Sequence, residues 1–134
     1  GEHVIASEVE GALAEVCSST GARVAEFTVA PVVNPAAGLP HHQWLIEFDG
    51  LQDAESLRRF STRLDQAMCS KNPYYGDLVQ GRVLEPLHVI SMPKGTFKKY
   101  LESQGKLGGQ NKVVHLSDSR EMADGIISSL QTSR

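Results

Sequence analysis

Apolar residues recur at helical spacing near the start of the chain, which predicts a first helix. They follow Ser7 every three or four positions as far as Val16. Ser7 and Glu10 fit a capping box, in which each side chain accepts a hydrogen bond from a backbone N–H at the helix start. Gly21 is placed to end this helix in a left-handed conformation.

Other stretches alternate between apolar and polar residues, as strands do. Residues 23–30 predict a first strand, and residues 42–48, which include Trp44, predict the clearest one. Residues 87–92 carry apolar side chains on both faces, which predicts a third strand in the interior of a sheet. Residues 112–116 predict a short fourth strand.

Capping residues mark the remaining helices. Asp53 can cap a second helix that ends before Asn72, and residues 74–82 are predicted to be irregular. Thr96 can cap a short third helix, and Ser117 can cap the last one. The order is helix, strand, strand, helix, strand, helix, strand, helix. It predicts an α+β fold, with a mixed four-stranded sheet packed with helices in a two-layer or three-layer sandwich.

Composition and charge narrow the classes of function. The 134 residues, 40% of them hydrophobic, suit a single domain over residues 1–134. A net charge of -3 gives no overall electrostatic attraction to nucleic acid or an anionic membrane, and no apolar run is long enough to span a bilayer. The cysteines, Cys17 and Cys69, lack partners at metal-binding spacing, which favours reduced thiols and a cytoplasmic location.

Two further patterns bear on ligands. His41 and His42 are adjacent, so a strand would point them to opposite faces, which argues against a metal site that uses both.

A Gly-rich segment precedes the predicted fourth strand and comprises Gly105, Lys106, Gly108, Gly109, Gln110, Asn111 and Lys112. Glycine lets backbone N–H groups approach a ligand and lysine adds a positive charge, which together suit phosphate. Val113 after Lys112 excludes a P-loop, and a mobile surface connection with solvated lysines is the alternative.

Two runs of residues resemble a known family. Pro93-Lys94-Gly95-Thr96-Phe97 and the Gly-rich segment 105–113 resemble the end of the plant auxin-responsive acyl acid amido synthetases, and look closest to their bacterial relatives. Weaker agreement comes, in order, from Gly1-Glu2-His3, the strand at 42–48, and Asn72 with Tyr75 before Arg82. The match covers nearly the whole chain, as the C-terminal domain of that family.

The resemblance implies that the chain is the small moving lobe of an adenylate-forming ligase, whose large N-terminal domain is absent here. Such enzymes use ATP to convert a carboxylic acid to an acyl-adenylate, and the amine of an amino acid then attacks it. Mg²⁺ is expected with ATP, bound mainly by the absent domain. The implied partners are the N-terminal domain and the two substrates, and the isolated domain is expected to be inactive.

The resemblance also implies site residues. Lys112 is the lysine brought to the phosphates, with the Gly-rich segment and His115 around it. Glu2 and His3 lie near the hinge, and Tyr75 and Arg82 are possible residues of the cleft. The family usually continues Lys-x-Pro-Arg, whereas this chain has Lys112-Val113-Val114-His115, so it stays open whether His115 replaces the arginine. A non-catalytic α+β module that binds a small ligand or another copy of itself is the alternative reading of the chain.

Overall fold

Helices cover both faces of a mixed sheet in the part of the chain that the computed structural model describes, residues 4–50, 52–106 and 112–132. In chain order the elements are α1 Ala6–Thr20, β1 Val24–Val32, β2 His41–Phe48, α2 Ala54–Lys71, α3 Pro73–Gln80, β3 His88–Met92, α4 Thr96–Lys106 and α5 Glu121–Thr132. Within these ranges, no helix is both long and apolar enough to cross a bilayer.

The central strand of the sheet is β2. It pairs antiparallel with β1, where Phe27 lies opposite Ile46, and parallel with β3, where Trp44 lies opposite Val89. The parallel connection runs through α2 and α3, because parallel neighbours need a crossover rather than a tight turn. The mixed sheet expected from the sequence is therefore confirmed.

Alternation along β2 divides the hydrophobic core into two clusters. Trp44 and Ile46 pack into the larger cluster, with α1, α2 and α3, whereas Leu45 faces the smaller cluster, with α4 and α5. All three side chains have no exposed surface. Successive strand residues point to opposite faces, so this one strand supplies both clusters and the fold has three layers.

The predicted helix caps at Gly21 and Asp53 are confirmed, whereas those at Ser7 and Ser117 are wrong. Gly21 ends α1 with φ 79°, and the Asp53 carboxylate accepts a hydrogen bond from Ser56 N–H at 2.7 Å at the start of α2. The predicted Ser7–Glu10 box does not form, because α1 already begins at Ala6 and its first turn is closed by the Glu8 carboxylate, which accepts from Ile5 N–H at 3.0 Å.

The segment predicted to be irregular contains α3. Asn72 caps this helix by accepting a hydrogen bond from Tyr75 N–H at 2.9 Å, and Pro73 occupies its first turn. Proline is favoured there because the N–H it lacks would have no partner within the helix. Tyr75 has no exposed surface, and its hydroxyl donates to the Asp65 carboxylate at 2.7 Å. Burial of this ring helps to fix a helix whose own sequence is a weak helix former.

The strand predictions fail at the margins of the sheet. Residues 112–116 do not form a fourth strand, since only Leu116 makes a bridge, parallel to Val29 of β1. Among the described strands, β3 lies at an edge of the sheet rather than in its interior, and Ile90 is 40% exposed. The last helix begins at Glu121, so Ser117 does not cap it as predicted. The Ser117 hydroxyl instead accepts a hydrogen bond from Ser119 N–H, at 3.1 Å, in a turn before the helix.

Candidate functional site

A buried carboxylate fixes the helix that leads into the Gly-rich segment. Glu47 of β2 is 7% exposed, and its two oxygens accept hydrogen bonds from Gly95 N–H at 2.9 Å and Phe97 N–H at 3.1 Å. These N–H groups belong to the turn before α4 and to its first turn. A negative charge there also interacts favourably with the positive end of the helix dipole. Gly95 has φ 89°, a conformation that other residues rarely adopt.

The Gly-rich segment lies only partly within the described residues. Gly105 and Lys106 belong to the last turn of α4. Gly108, Gly109, Gln110 and Asn111 lie outside the described residues, as do the predicted hinge residues Glu2 and His3. The structure describes the chain again from Lys112, which is exposed.

The chain after Lys112 is attached to the outer side of β1. Val29 N–H donates to His115 O at 2.8 Å, and Ser117 N–H donates to Val29 O at 2.9 Å. The Thr28 hydroxyl adds a bond to Val114 O at 2.6 Å. These contacts occupy the place expected for a fourth strand, although they are too few to form one. They hold the downstream end of the Gly-rich segment against the sheet.

His115 is held by two carboxylates and an aromatic ring. Its Nδ1 lies 2.8 Å from Glu10 of α1, and its Nε2 lies 2.9 Å from Glu26 of β1. The imidazole also stacks on Phe27, with ring centroids 4.2 Å apart. Desolvation alone would lower the pKa of His115, but the hydrogen bonds and charges of Glu10 and Glu26 outweigh it and raise the pKa. The arrangement favours the imidazolium, whose two N–H groups can each donate to one carboxylate.

This arrangement bears on whether His115 replaces the arginine of the family pattern. Both ring nitrogens face carboxylates of the same chain, so the ring does not present a donor to a phosphate. Lys112 is exposed and lies three positions earlier. His115 is thus held by carboxylates of α1 and β1, whereas Lys112 is an exposed residue at the end of the Gly-rich segment.

Helix α5 is fixed to the same face of the sheet as α4. The Arg120 guanidinium donates to Pro31 O at 3.1 Å and to the Gln43 side chain at 2.7 Å, which attaches the start of α5 to β1 and β2. Farther along α5, Gly125 faces Tyr100 of α4, and a Cβ at this glycine would lie 3.0 Å from the ring. The missing side chain lets the two helices approach each other closely.

Tyr75 and Arg82 are not brought together as a pair in one cleft. Tyr75 lies in the larger core cluster, and its bond to Asp65 makes it part of the folded interior. Arg82 is exposed, in a turn where its φ is 60°. The cleft assignment of Tyr75 is thus not supported within this domain, and that of Arg82 stays a prediction.

The sequence analysis missed three carboxylates that position the site: Glu10, Glu26 and Glu47. Glu10 lies 105 positions from its partner His115, and Glu26 lies 89 positions from it. No fixed spacing signals such contacts. For Glu47 a signal existed, because it is an acidic residue at an inward position of a strongly apolar strand, and a buried carboxylate requires hydrogen-bond donors.

Comparison with known protein families identifies the family to which the chain belongs. A family model described as the GH3 family C-terminal domain matches residues 7–121, a range that includes both Lys112 and His115. The chain belongs to this family. The resemblance stated from the sequence is thereby confirmed, and the chain is a GH3 C-terminal domain of the kind found in acyl acid amido synthetase-like proteins.

Solved structures agree with the GH3 assignment at the level of the fold. A GH3.15 acyl acid amido synthetase superposes with a TM-score of 0.71 at 11% identity, over 90% of this chain and 24% of that chain. A structure of AtGH3.15 acyl acid amido synthetase in complex with 2,4-DB gives a TM-score of 0.68 at 11% identity, over 90% and 23% of the two chains. This GH3 domain thus spans about a quarter of the length of the synthetases it matches. No curated protein sequence matches the chain.

Proposed function

We propose that this domain is the moving C-terminal lobe of an ATP-dependent acyl acid amido synthetase and that it supplies Lys112 to the nucleotide. In the proposed reaction, a carboxylic acid attacks ATP to give an acyl-adenylate and pyrophosphate. The amine of an amino acid then attacks the acyl carbon and releases AMP. An N-terminal domain would hold the acid, most of the nucleotide and the Mg²⁺ that accompanies it, so the isolated lobe is expected to be inactive.

The observation that carries this proposal is the position of Lys112 between two anchored segments. Upstream, α4 is fixed at its start by Glu47, and downstream the chain is bonded to β1 through Val29. Lys112 itself is exposed. A lysine carried in this way moves with the whole lobe, so a rotation of the lobe can bring its charge to a site on another domain.

The arrival of Lys112 in the closed state would assist the formation of the acyl-adenylate. Negative charge develops on the leaving phosphates while the carboxylate attacks, and an ammonium group that arrives in the closed state stabilises this charge. An interaction stronger in the transition state than in the ground state raises the rate of the chemical step. Lys112 therefore has its main effect on adenylate formation rather than on the binding of the acid.

His115 has a different part in this proposal. Its contacts with Glu10 and Glu26 attach the chain just after Lys112 to α1 and β1. We assign His115 as a positioning residue, which limits where Lys112 can lie when the lobe closes. The neighbouring carboxylates would repel a phosphate brought to this ring, which argues against direct contact with ATP.

The test uses an enzyme that contains this domain together with its N-terminal domain. We expect Lys112→Ala to slow acid-dependent exchange of pyrophosphate into ATP by about a hundredfold or more, the usual effect of removing one group that stabilises transition-state charge. The dissociation constant of the acid should change by less than about threefold, because the acid is bound elsewhere. Both quantities are measured on the same preparation.

Matched variants separate the role of Lys112 from a general loss of charge. Lys99→Ala removes an exposed lysine of α4 and should leave the exchange rate unchanged. Lys112→Arg keeps the charge and should recover part of the rate. Unchanged exchange in Lys112→Ala would remove this lysine from the mechanism.

A further inference from the structure

Two histidines and one glutamate meet where the loop after β1 joins the sheet. The Glu85 carboxylate lies 2.7 Å from His88 Nε2 and 3.6 Å from His41 Nδ1. The imidazoles of His41 and His88 are stacked with centroids 3.7 Å apart. Each of the three side chains offers a ligand atom, and these atoms all lie within 4.8 Å of one another.

We propose that His41, Glu85 and His88 form a binding site for a divalent transition-metal ion such as Zn²⁺. Two imidazoles and one carboxylate are the ligand set that Zn²⁺ accepts in proteins, and they leave one position for water or another ligand. Harder ions such as Mg²⁺ prefer a shell of oxygen atoms and do not fit this set. The site is independent of the ligase chemistry proposed above.

The backbone around the cluster fixes two of the three groups. Glu85 accepts a hydrogen bond from Leu39 N–H at 3.2 Å, and its own N–H donates to Pro40 O at 3.0 Å. His41 is 8% exposed, and its Nδ1 donates to Leu39 O at 2.9 Å. The same Nδ1 faces Glu85 at 3.6 Å, so binding of the metal through Nδ1 would replace the bond to Leu39 O.

The third group has the freedom that binding requires. The stacked rings are only 18° from parallel, so their lone pairs do not yet point to one position. The His88 side chain is 44% exposed at the start of the edge strand β3, and it can turn towards an ion beside Glu85. Its 2.7 Å contact with Glu85 would then be replaced by bonds from both side chains to the metal.

Such an ion would connect three parts of the fold. Glu85 precedes β3, His41 begins β2, and the loop that reaches Leu39 bonds to Glu85 through its backbone. Without a metal, these segments are joined by the hydrogen bonds of Glu85 with Leu39 and Pro40 and by the pairing of β2 with β3. Because the unfolded chain does not hold the three ligands together, binding of the metal should stabilise the folded state.

The test is a titration of the 134-residue chain with ZnCl₂ by calorimetry, together with the thermal unfolding midpoint with and without the metal. We expect one Zn²⁺ per chain and a higher midpoint, whereas MgCl₂ at the same concentrations should leave both signals unchanged. His88→Gln and Glu85→Gln should each weaken Zn²⁺ binding by roughly tenfold or more, since loss of an outer contact alone costs that much. Circular dichroism checks that each variant is folded.

The cluster around His115 supplies a matched control. Its imidazole also lies between carboxylates, but Glu10 and Glu26 bind opposite nitrogens of the ring, so the three groups do not converge. His115→Gln should leave Zn²⁺ binding unchanged. The proposal is overturned if the chain does not bind Zn²⁺, if His88→Gln and Glu85→Gln bind it as tightly as the parent chain, or if His115→Gln loses binding equally.

Discussion

At the scale of single residues, His115 shows how a neighbouring pair of charges defines what a side chain can do. An arginine at this position would keep its charge at any physiological pH, whereas a histidine keeps it only while its surroundings favour the imidazolium. Glu10 and Glu26 provide those surroundings from α1 and β1. The charge that holds the chain beside Lys112 is therefore sensitive to pH.

We expect His115→Gln to remove a stabilisation that depends on pH. The pKa of His115 is raised from 6.5, so the stabilisation is fully present below that value and is lost as pH rises through the folded-state pKa. The difference in unfolding free energy between parent and variant should be about 0.5–1 kcal/mol near pH 6 and smaller near pH 8.5, the size expected for a partly exposed ion pair. Urea unfolding at a series of pH values measures it.

Glu26→Gln serves as the matched variant for this measurement. It removes one of the two carboxylates that raise the pKa of His115 and should reduce the same pH dependence, while the double variant should add little. A free-energy difference that stays constant from pH 6 to pH 8.5 would show that the charge of His115 does not contribute.

At the scale of secondary-structure elements, Glu47 explains why α4 begins where it does. The Pro-Lys-Gly-Thr-Phe run carries the family resemblance, and two of its backbone N–H groups donate to this one carboxylate of β2. A side chain of the central strand thus replaces the cap that a helix usually finds in its own sequence. The contact fixes the start of the helix that leads into the Gly-rich segment.

We expect Glu47→Gln to destabilise the fold by roughly 1–3 kcal/mol. Glutamine keeps the shape but offers one oxygen instead of two, so one buried N–H at the start of α4 would face an amide N–H₂ and lose its partner. Urea unfolding at pH 7 measures the loss. Glu55→Gln, at an exposed position of α2, should change the unfolding free energy by less than about 0.5 kcal/mol. Equal effects of the two substitutions would contradict the capping role of Glu47.

Local patterns predicted the elements well wherever the same residues also determined the packing. The alternation of β2 and the caps at Gly21 and Asp53 are confirmed, because burial and hydrogen bonding act on neighbouring residues there. The strand predicted at residues 112–116 was wrong, since apolar character cannot show that only Leu116 would meet β1. Helix α3 was missed because burial of Tyr75 outweighs the weak helix propensity of its neighbours.

At the scale of the whole molecule, the two helical layers differ in size. The layer of α1, α2 and α3 shares the larger core cluster, whereas α5 and α4, the helix that leads into the Gly-rich segment, share the smaller one. The sequence allowed two or three layers. It could not choose between them, because the choice depends on which helices share a face of β2. The same limit hid the contacts of Glu10, Glu26 and Glu47, which join residues far apart in the chain.

The unequal layers lead to a prediction about cooperativity. Regions with fewer buried contacts open with a smaller free energy than the rest of a domain. Gly125→Leu would force a large side chain against Tyr100, where even a Cβ has only 3.0 Å, and overpacking of this kind costs about 1–3 kcal/mol. We expect amide hydrogen exchange in α4 and α5 to become roughly tenfold faster or more, while exchange in α1 and α2 is unchanged.

Gly11→Ala provides the comparison for this substitution in the larger layer. A Cβ at Gly11 would meet only the flexible end of Lys71, at 3.4 Å, so alanine should stabilise α1 by roughly 0.5–1 kcal/mol through its better helix propensity. Exchange is followed residue by residue by NMR. If Gly125→Leu accelerates exchange equally in α1, α2, α4 and α5, the domain opens as one unit.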